Sequence, residues 1–194
     1  MRLLAALFLA TVLAGCASSG GGGGDVVQAA PRTVWIVGPG GQAIGQATFT
    51  GGPSGTLIRL EFPERALPPG WHGLHLHDRG DCSDFAQGFQ AAGGHLGMGR
   101  RISHGLLSDG GPEAGDLPSI FAPPVGPFAA EVFAPLTTLS SERIPANANR
   151  RERLALLDGD GTALVIHSAH DDQRTQPIGG AGERIACAAL RPLP

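Results

Sequence analysis

Glycine and proline cut this chain into short pieces, and that punctuation limits its fold more than any other feature. With 31 glycines and 16 prolines in 194 residues, no stretch keeps a helical repeat of apolar residues long enough for a convincing amphipathic helix. What lies between the breaks is strand-like. Residues 32–37 (RTVWIV) end at Gly38-Pro39-Gly40-Gly41, and residues 42–50 and 55–62 flank Gly51-Gly52-Pro53-Ser54 as the arms of a hairpin would. Residues 74–77, 129–133, 154–157, 163–167 (ALVIH) and 184–190 (RIACAAL) are further short strands, with Asp158-Gly159-Asp160-Gly161 as a strong turn signal. Short strands separated by turns predict an all-β domain, a Greek-key sandwich or barrel. Residues 78–118 are Gly-rich and mostly aperiodic. A loop of that length inside a compact domain is usually functional.

The first fifteen residues stand outside this pattern. Arg2 precedes an apolar run at residues 3–13 that is too short to span a bilayer. Leu13-Ala14-Gly15-Cys16 then looks like a bacterial lipobox. Residues 1–15 are therefore expected to be a lipoprotein signal peptide and Cys16 the lipidated first residue of the mature chain. The alternative is an ordinary secretory cleavage site with a chance cysteine. Residues 16–31, with SSGGGGG at 18–24, read as a tether, and residues 32–194 as the folded domain. The expected location is the periplasm, anchored through Cys16. Ala17 and Ser18 do not resemble an inner-membrane retention signal, which favours the outer membrane. Export leaves Cys82 and Cys187 as an even pair in an oxidising compartment, where one long-range disulfide is expected rather than two free thiols. The formal charge is −3 and nothing suggests a basic face, so no nucleic-acid partner is expected.

Seven histidines stand at positions 72, 75, 77, 95, 104, 167 and 170. His75 and His77 are two apart at a strand end, so both rings point to one face. His167 ends the ALVIH strand and can enter the same face, while His95 and His104 lie in the long loop. Imidazole suits copper and zinc. With no cysteine nearby to serve as thiolate and no His-Glu-x-x-His helix motif, a blue-copper site and a metalloprotease are both disfavoured.

Gly73-Leu74-His75-Leu76-His77, Gly80-Asp81-Cys82-Ser83, Ala92-Gly93-Gly94-His95 and Ala114-Gly115-Asp116-Leu117-Pro118 resemble the metal-binding half of copper–zinc superoxide dismutases. DGDGTALVIHSAHDD at 158–172 and PIGGAGERIAC at 177–187 resemble the family's C-terminal signatures. The resemblance spans roughly residues 32–190, with the motifs in the family's order. It implies the family's sandwich fold. It also implies His75, His77, His95 and His167 as copper ligands, and His95, His104 and Asp116 as zinc ligands. His95 would bridge the two metals. Asp171 would tie a copper histidine to a zinc histidine, Arg184 would dock the anionic substrate, and Cys82 and Cys187 would form the family's disulfide. His72 and His170 are left without a ligand role and read as surface or backbone-bonding histidines.

The chain departs from the family mainly on the zinc side. Glu113 stands where a third zinc histidine is usual, eight residues rather than seven separate His95 from His104, Gly97-Met98 replaces an Asn-Pro pair, and Ala188 replaces a glycine. A glutamate oxygen can ligate zinc, so Glu113 is expected as the fourth ligand. The alternative is a glutamate pointing to solvent with zinc weakly bound or absent. The implied reaction is dismutation of superoxide to dioxygen and hydrogen peroxide by Cu(II)/Cu(I) cycling, with His95 leaving copper and taking a proton in the reduced state. A periplasmic copper-buffering protein and a domain that has lost its metals are the competing readings. Arg184 speaks against the first and the complete copper set against the second. The oligomeric state is left open.

Overall fold

The structure is a computed structural model and describes residues 27–192. The expected signal peptide, Cys16 and the SSGGGGG run lie outside the described residues. Eight strands form one antiparallel sheet: β1 (Arg32–Val37), β2 (Ala43–Gly52), β3 (Gly55–Phe62), β4 (Gly70–His77), β5 (Asp116–Ala122), β6 (Phe128–Ala134), β9 (Thr162–His167) and β10 (Arg184–Leu190). Between β6 and β9, the short strands β7 (Thr137–Thr138) and β8 (Leu154–Ala155) make a separate parallel pair. The order across the sheet is β5-β4-β9-β10-β1-β2-β3-β6. Its two edge strands, β5 and β6, are consecutive in sequence and approach each other, so the sheet nearly closes into a barrel. The connections β3–β4 and β6–β9 each cross between non-neighbouring strands, which makes the topology Greek-key. Among the described residues no helix is long and apolar enough to cross a membrane.

Strand alternation builds the core. Phe49, Ile58, Leu60, Leu74, Leu76, Leu164 and Ile166 are all fully or almost fully buried inside the barrel. On β4 and β9 the alternate residues are buried too: every residue of β9, and all of β4 from His72 on, is covered. The outer face carries His75, His77, Ala163, Val165 and His167. Against part of it packs a second cluster formed by Phe89, Ala92, Cys82 and Cys187 with Ala163 and Val165. The long loop after β4 thus closes over the outside of the barrel and makes a second, smaller interior there.

Two strands escape the sequence pattern. Residues 116–122 form β5 although 78–118 reads as loop. Pro118 disguises the strand, yet it sits on a sheet edge, where a missing N–H costs no ladder bond. β7 is only two residues long, below what alternation can reveal. The hairpin arms are close to expectation, with β3 at 55–62 and β2 shifted to 43–52. Packing also begins ahead of Arg32. The Gln28 side chain bonds Thr138 Oγ1 (2.7 Å) and the Leu139 N–H (3.0 Å), and the Ala29 N–H donates to the Leu139 carbonyl (2.7 Å).

Cys82 and Cys187 form a disulfide between the long loop and the middle of β10, across 105 residues of sequence. In the chain-entropy model a loop of that size contributes about 4–5 kcal/mol. The double substitution Cys82→Ser/Cys187→Ser should lower the unfolding free energy by up to that amount in a urea titration. An unchanged midpoint and slope would mean that other contacts already hold the loop to β10.

Candidate metal centre

The sheet order brings the site together. β5, β4, β9 and β10 are adjacent, with Asp116 opposite His75, His75 opposite Val165, and His167 opposite Arg184. The long loop supplies His95, bridged to His77, together with His104 and Glu113. Asp171 comes from the β9–β10 connection. All of these histidines and carboxylates are buried, at 4% exposure or less.

The imidazoles of His75, His77, His95 and His167 are each held by one nitrogen. His77 Nδ1 donates to the Gly93 carbonyl (3.0 Å) and His167 Nδ1 to the Gly182 carbonyl (3.1 Å). His75 is turned the other way, its Nε2 donating to Asp171 Oδ2 (2.7 Å). His95 places Nδ1 3.0 Å from Glu113 Oε2. The second nitrogens, His75 Nδ1, His77 Nε2, His95 Nε2 and His167 Nε2, are buried with no hydrogen-bond partner. The ligand atoms of these four residues lie within 4.8 Å of one another. Four buried, unpartnered lone-pair nitrogens facing one point are costly in a bare protein and suited to an imidazole-binding metal ion such as copper.

On the far side of His95 lies a second donor set. His75, His95, His104 and Asp116 also fall within 4.8 Å, but His75 has one nitrogen on Asp171 and the other in the four-histidine group. Glu113 takes its place. His95 Nδ1, His104 Nδ1, Asp116 Oδ1 and Glu113 Oε2 are separated by 3.0, 3.5, 2.8 and 4.0 Å over the four His–carboxylate pairs. Ligands at 2.0–2.1 Å from a tetrahedral zinc would stand about 3.3 Å apart, so the set fits zinc. The Glu113 carboxylate turns inward and is 4% exposed, which removes the solvent-pointing alternative.

Asp171 joins the two halves. Its Oδ2 accepts from His75, and its carboxylate lies 3.2 Å from His104 Nε2. Gly179 makes room for it: at φ +63° its backbone passes so close that an added Cβ would collide with the Asp171 carboxylate and stand 2.9 Å from His104 Nε2. Arg184 is half-buried, with Nη1 on the Phe89 carbonyl (2.8 Å) and Nη2 on the Gly93 carbonyl (2.7 Å), the same carbonyl that holds His77. Among the described residues its remaining N–H groups have no partner, so they can bind an anion. Phe89 holds its carbonyl there from a left-handed backbone (φ 57°), a strain its fully buried ring offsets.

The backbone carbonyls are what sequence reasoning passed over, while His72 is the backbone-bonding histidine that the sequence reading allowed. His72 is buried between the carbonyls of Pro68 (2.8 Å) and His167 (2.7 Å), so it braces the strand end that carries His167. His170 lies edge-on to Trp71. No residue type signals a carbonyl acceptor, so the anchors at Phe89, Gly93 and Gly182 had no sequence mark.

A profile of the copper/zinc superoxide dismutase family matches residues 43–190. The chain belongs to that family. A copper–zinc superoxide dismutase of Caulobacter vibrioides is 41% identical over 151 residues, covering 78% of this chain and 80% of that protein. One from Aquifex aeolicus is 37% identical over 158 residues, covering 80% and 84%. The crystal structure of a double mutant of a SOD-like protein from Bacillus subtilis superposes with a TM-score of 0.70 at 32% identity, over 82% of this chain and 96% of that one. The fold described above is that of the family.

The two donor sets differ electrostatically. Burial draws His75 down to about 4, against its bond to Asp171. Burial and the neighbouring His75 draw His167 down to about 3, and burial with neighbouring charge takes His77 well below its usual value. For His104 burial also pulls downward, but bonds and charge from Asp116 and Asp171 outweigh it and raise the group to about 10. His95 is raised likewise by Asp116 and Glu113 against its burial. At neutral pH the metal-free protein therefore has three neutral copper-side imidazoles and a protonated His104. Zinc must displace that proton, so its affinity should climb as pH rises through neutrality. Binding at His75, His77 and His167 should lose nothing to protonation until pH falls toward about 4. Competition titrations of both metals at mildly acid and mildly alkaline pH check this; equal pH slopes would contradict it.

Proposed function

We propose that this chain dismutes superoxide to dioxygen and hydrogen peroxide, with copper held by His75, His77, His95 and His167 and zinc by His95, His104, Asp116 and Glu113. The four converging imidazole nitrogens without a protein partner carry this reading. Copper, when bound, supplies the one-electron couple that takes an electron from one superoxide and returns it to the next. Arg184 binds the anion. Its guanidinium is fixed by two carbonyls of the loop that also orients His77, so substrate site and ligand share one support. His95 can hold a proton at Nε2 when that nitrogen is free of metal, because the carboxylates of Glu113 and Asp116 face its other side and favour the charged ring. That proton is available to the peroxide product.

A copper buffer needs the four imidazoles and has no use for Arg184. The copper-loaded protein should dismute superoxide well above free copper ion, and Arg184→Ala should lower turnover while copper stays bound. Activity no better than free ion would leave the buffering role, and loss of copper from Arg184→Ala would make the arginine structural.

Glu113 is the feature that separates this zinc site from a three-histidine one. Glu113→Ala should release zinc or weaken it by at least about tenfold, a loss of one ligand from four, while copper content is kept. Metal analysis after dialysis reads the result; full zinc at unchanged affinity would remove Glu113 from the ligand set.

The N-terminal motif supports a periplasmic, lipid-anchored enzyme. Its chemistry suits that place, since superoxide is a charged species that does not readily cross an apolar layer. Wild type should fractionate with membranes, with the outer membrane favoured, and Cys16→Ser should be unlipidated. A soluble wild type with its N-terminus elsewhere would overturn the anchor and leave the enzyme.

A further inference from the structure

A hairpin between β7 and β8 carries charge that the catalytic reading does not use. Backbone pairs Ile144–Arg153 and Asn147–Arg150 define it. Arg153 is almost fully buried, and its Nη1 reaches the Gly52 carbonyl (3.3 Å), so the base of the hairpin is pinned to the β2–β3 turn. Arg143, Arg150 and Arg151 are exposed on the hairpin and its approach, and Arg100 and Arg101 are exposed on the long loop. Glu152 joins the two segments, pairing with both Arg100 and Arg143 at 2.8 Å, and Arg151 reaches the Pro112 carbonyl (3.3 Å). Glu142 and Glu152 are the acids of the hairpin and its approach, and Asp78 and Asp158 share a cleft with Arg100 and Arg143. The uncompensated charge is that of Arg101, Arg150 and Arg151, none of which has a carboxylate partner among the described residues. In a chain of formal charge −3, five exposed arginines thus sit on the surface of two joined segments, the hairpin with its approach and the long loop.

The start of the described chain lies beside the approach to the hairpin. Gln28 and Ala29 are bonded to Thr138 and Leu139, and Arg143 follows Leu139 by four residues, at most about 14 Å along the backbone. Eleven residue steps separate Cys16 from Val27, a span of no more than about 40 Å even when fully extended.

We propose that the face formed by Arg101, Arg150 and Arg151, with Arg100 and Arg143, docks on anionic phospholipid headgroups and sets which side of the domain turns to the membrane. The proposal rests on the lipid anchor at Cys16, which would hold Val27 within about 40 Å of the bilayer. Phosphate is the partner that guanidinium forks match, because each can give two parallel hydrogen bonds to it. The pull of an anionic leaflet on arginines fades within a Debye length of about 8–10 Å. The rest of the protein, net negative, is repelled by the same surface. Attachment is therefore oriented and sensitive to salt.

The test uses the chain from residue 16 onward with Cys16→Ser, which carries no lipid and keeps every described residue. Binding then reports the arginine face alone, whereas membrane fractionation of the wild type reports the lipid. This protein should co-sediment with phosphatidylglycerol vesicles and not with phosphatidylcholine vesicles, and added salt should release it. The triple change Arg101→Gln/Arg150→Gln/Arg151→Gln should weaken that binding on the order of a hundredfold. Arg65→Gln/Arg79→Gln/Arg174→Gln, the same charge change elsewhere on the surface, should leave it nearly intact. No binding to phosphatidylglycerol would overturn the proposal, as would equal loss in both triples. Preferential binding to isolated peptidoglycan would overturn it as well and would assign the face to the cell wall.

Discussion

Strands β4 and β9 bury both of their faces, and the rest of the structure depends on that. A strand in a half-solvated sheet pairs an apolar face with a wet one. Here Leu74, Leu76, Leu164 and Ile166 fill the barrel, while His75, His77 and His167 project from the other side into a space closed by the long loop. Histidines in that space cannot be satisfied by water. Each must find a protein acceptor for its N–H, and the lone pair that remains is left for a metal ion.

The acceptors decide which nitrogen is left. Carbonyls take Nδ1 of His77 and His167, and Asp171 takes Nε2 of His75, so the four-histidine group contains one nitrogen of the opposite kind. The same carboxylate lies 3.2 Å from His104 Nε2, so one buried acid orients a ring in each half of the centre. It remains ionised because its bonds to His104 and His75 outweigh the cost of burial and hold it well below the usual carboxylate range. Asp116 is held low in the same way by His104 and His95. These two ionised carboxylates sit at the second donor set and the link, while His75, His77 and His167 are neutral rings with the Arg184 guanidinium nearby, itself within reach of the charges of Asp78 and Asp84.

Arg184, His77 and the disulfide form one mechanical unit. The loop carbonyl at Gly93 serves both Arg184 and His77, Phe89 supplies the second carbonyl, and Cys82 ties the loop to β10, the strand that begins at Arg184. Opening the loop would release the arginine, the ligand orientation and the cover over Val165 together.

Alternation and turn chemistry in the sequence were enough to determine an all-β chain and the pairing of His75 with His77 on one face, while the other residues of the centre were expected only from the resemblance of their motifs to the superoxide dismutase family. Those are local properties, written in spacings of two and in residue types that bind metals. The tertiary structure decided what depends on residues far apart in the chain. It turned Glu113 inward, because the loop from His95 to Asp116 closes on itself and leaves its carboxylate 3.0 Å from His95. It made a strand of residues containing Pro118, because an edge position needs no N–H there. It gave His72 its place between two carbonyls and joined Arg100 of the long loop to Arg143 through a shared Glu152. Backbone carbonyls and shared counter-ions carry no mark in a sequence; only the closing of loops over strands brings them within bonding distance.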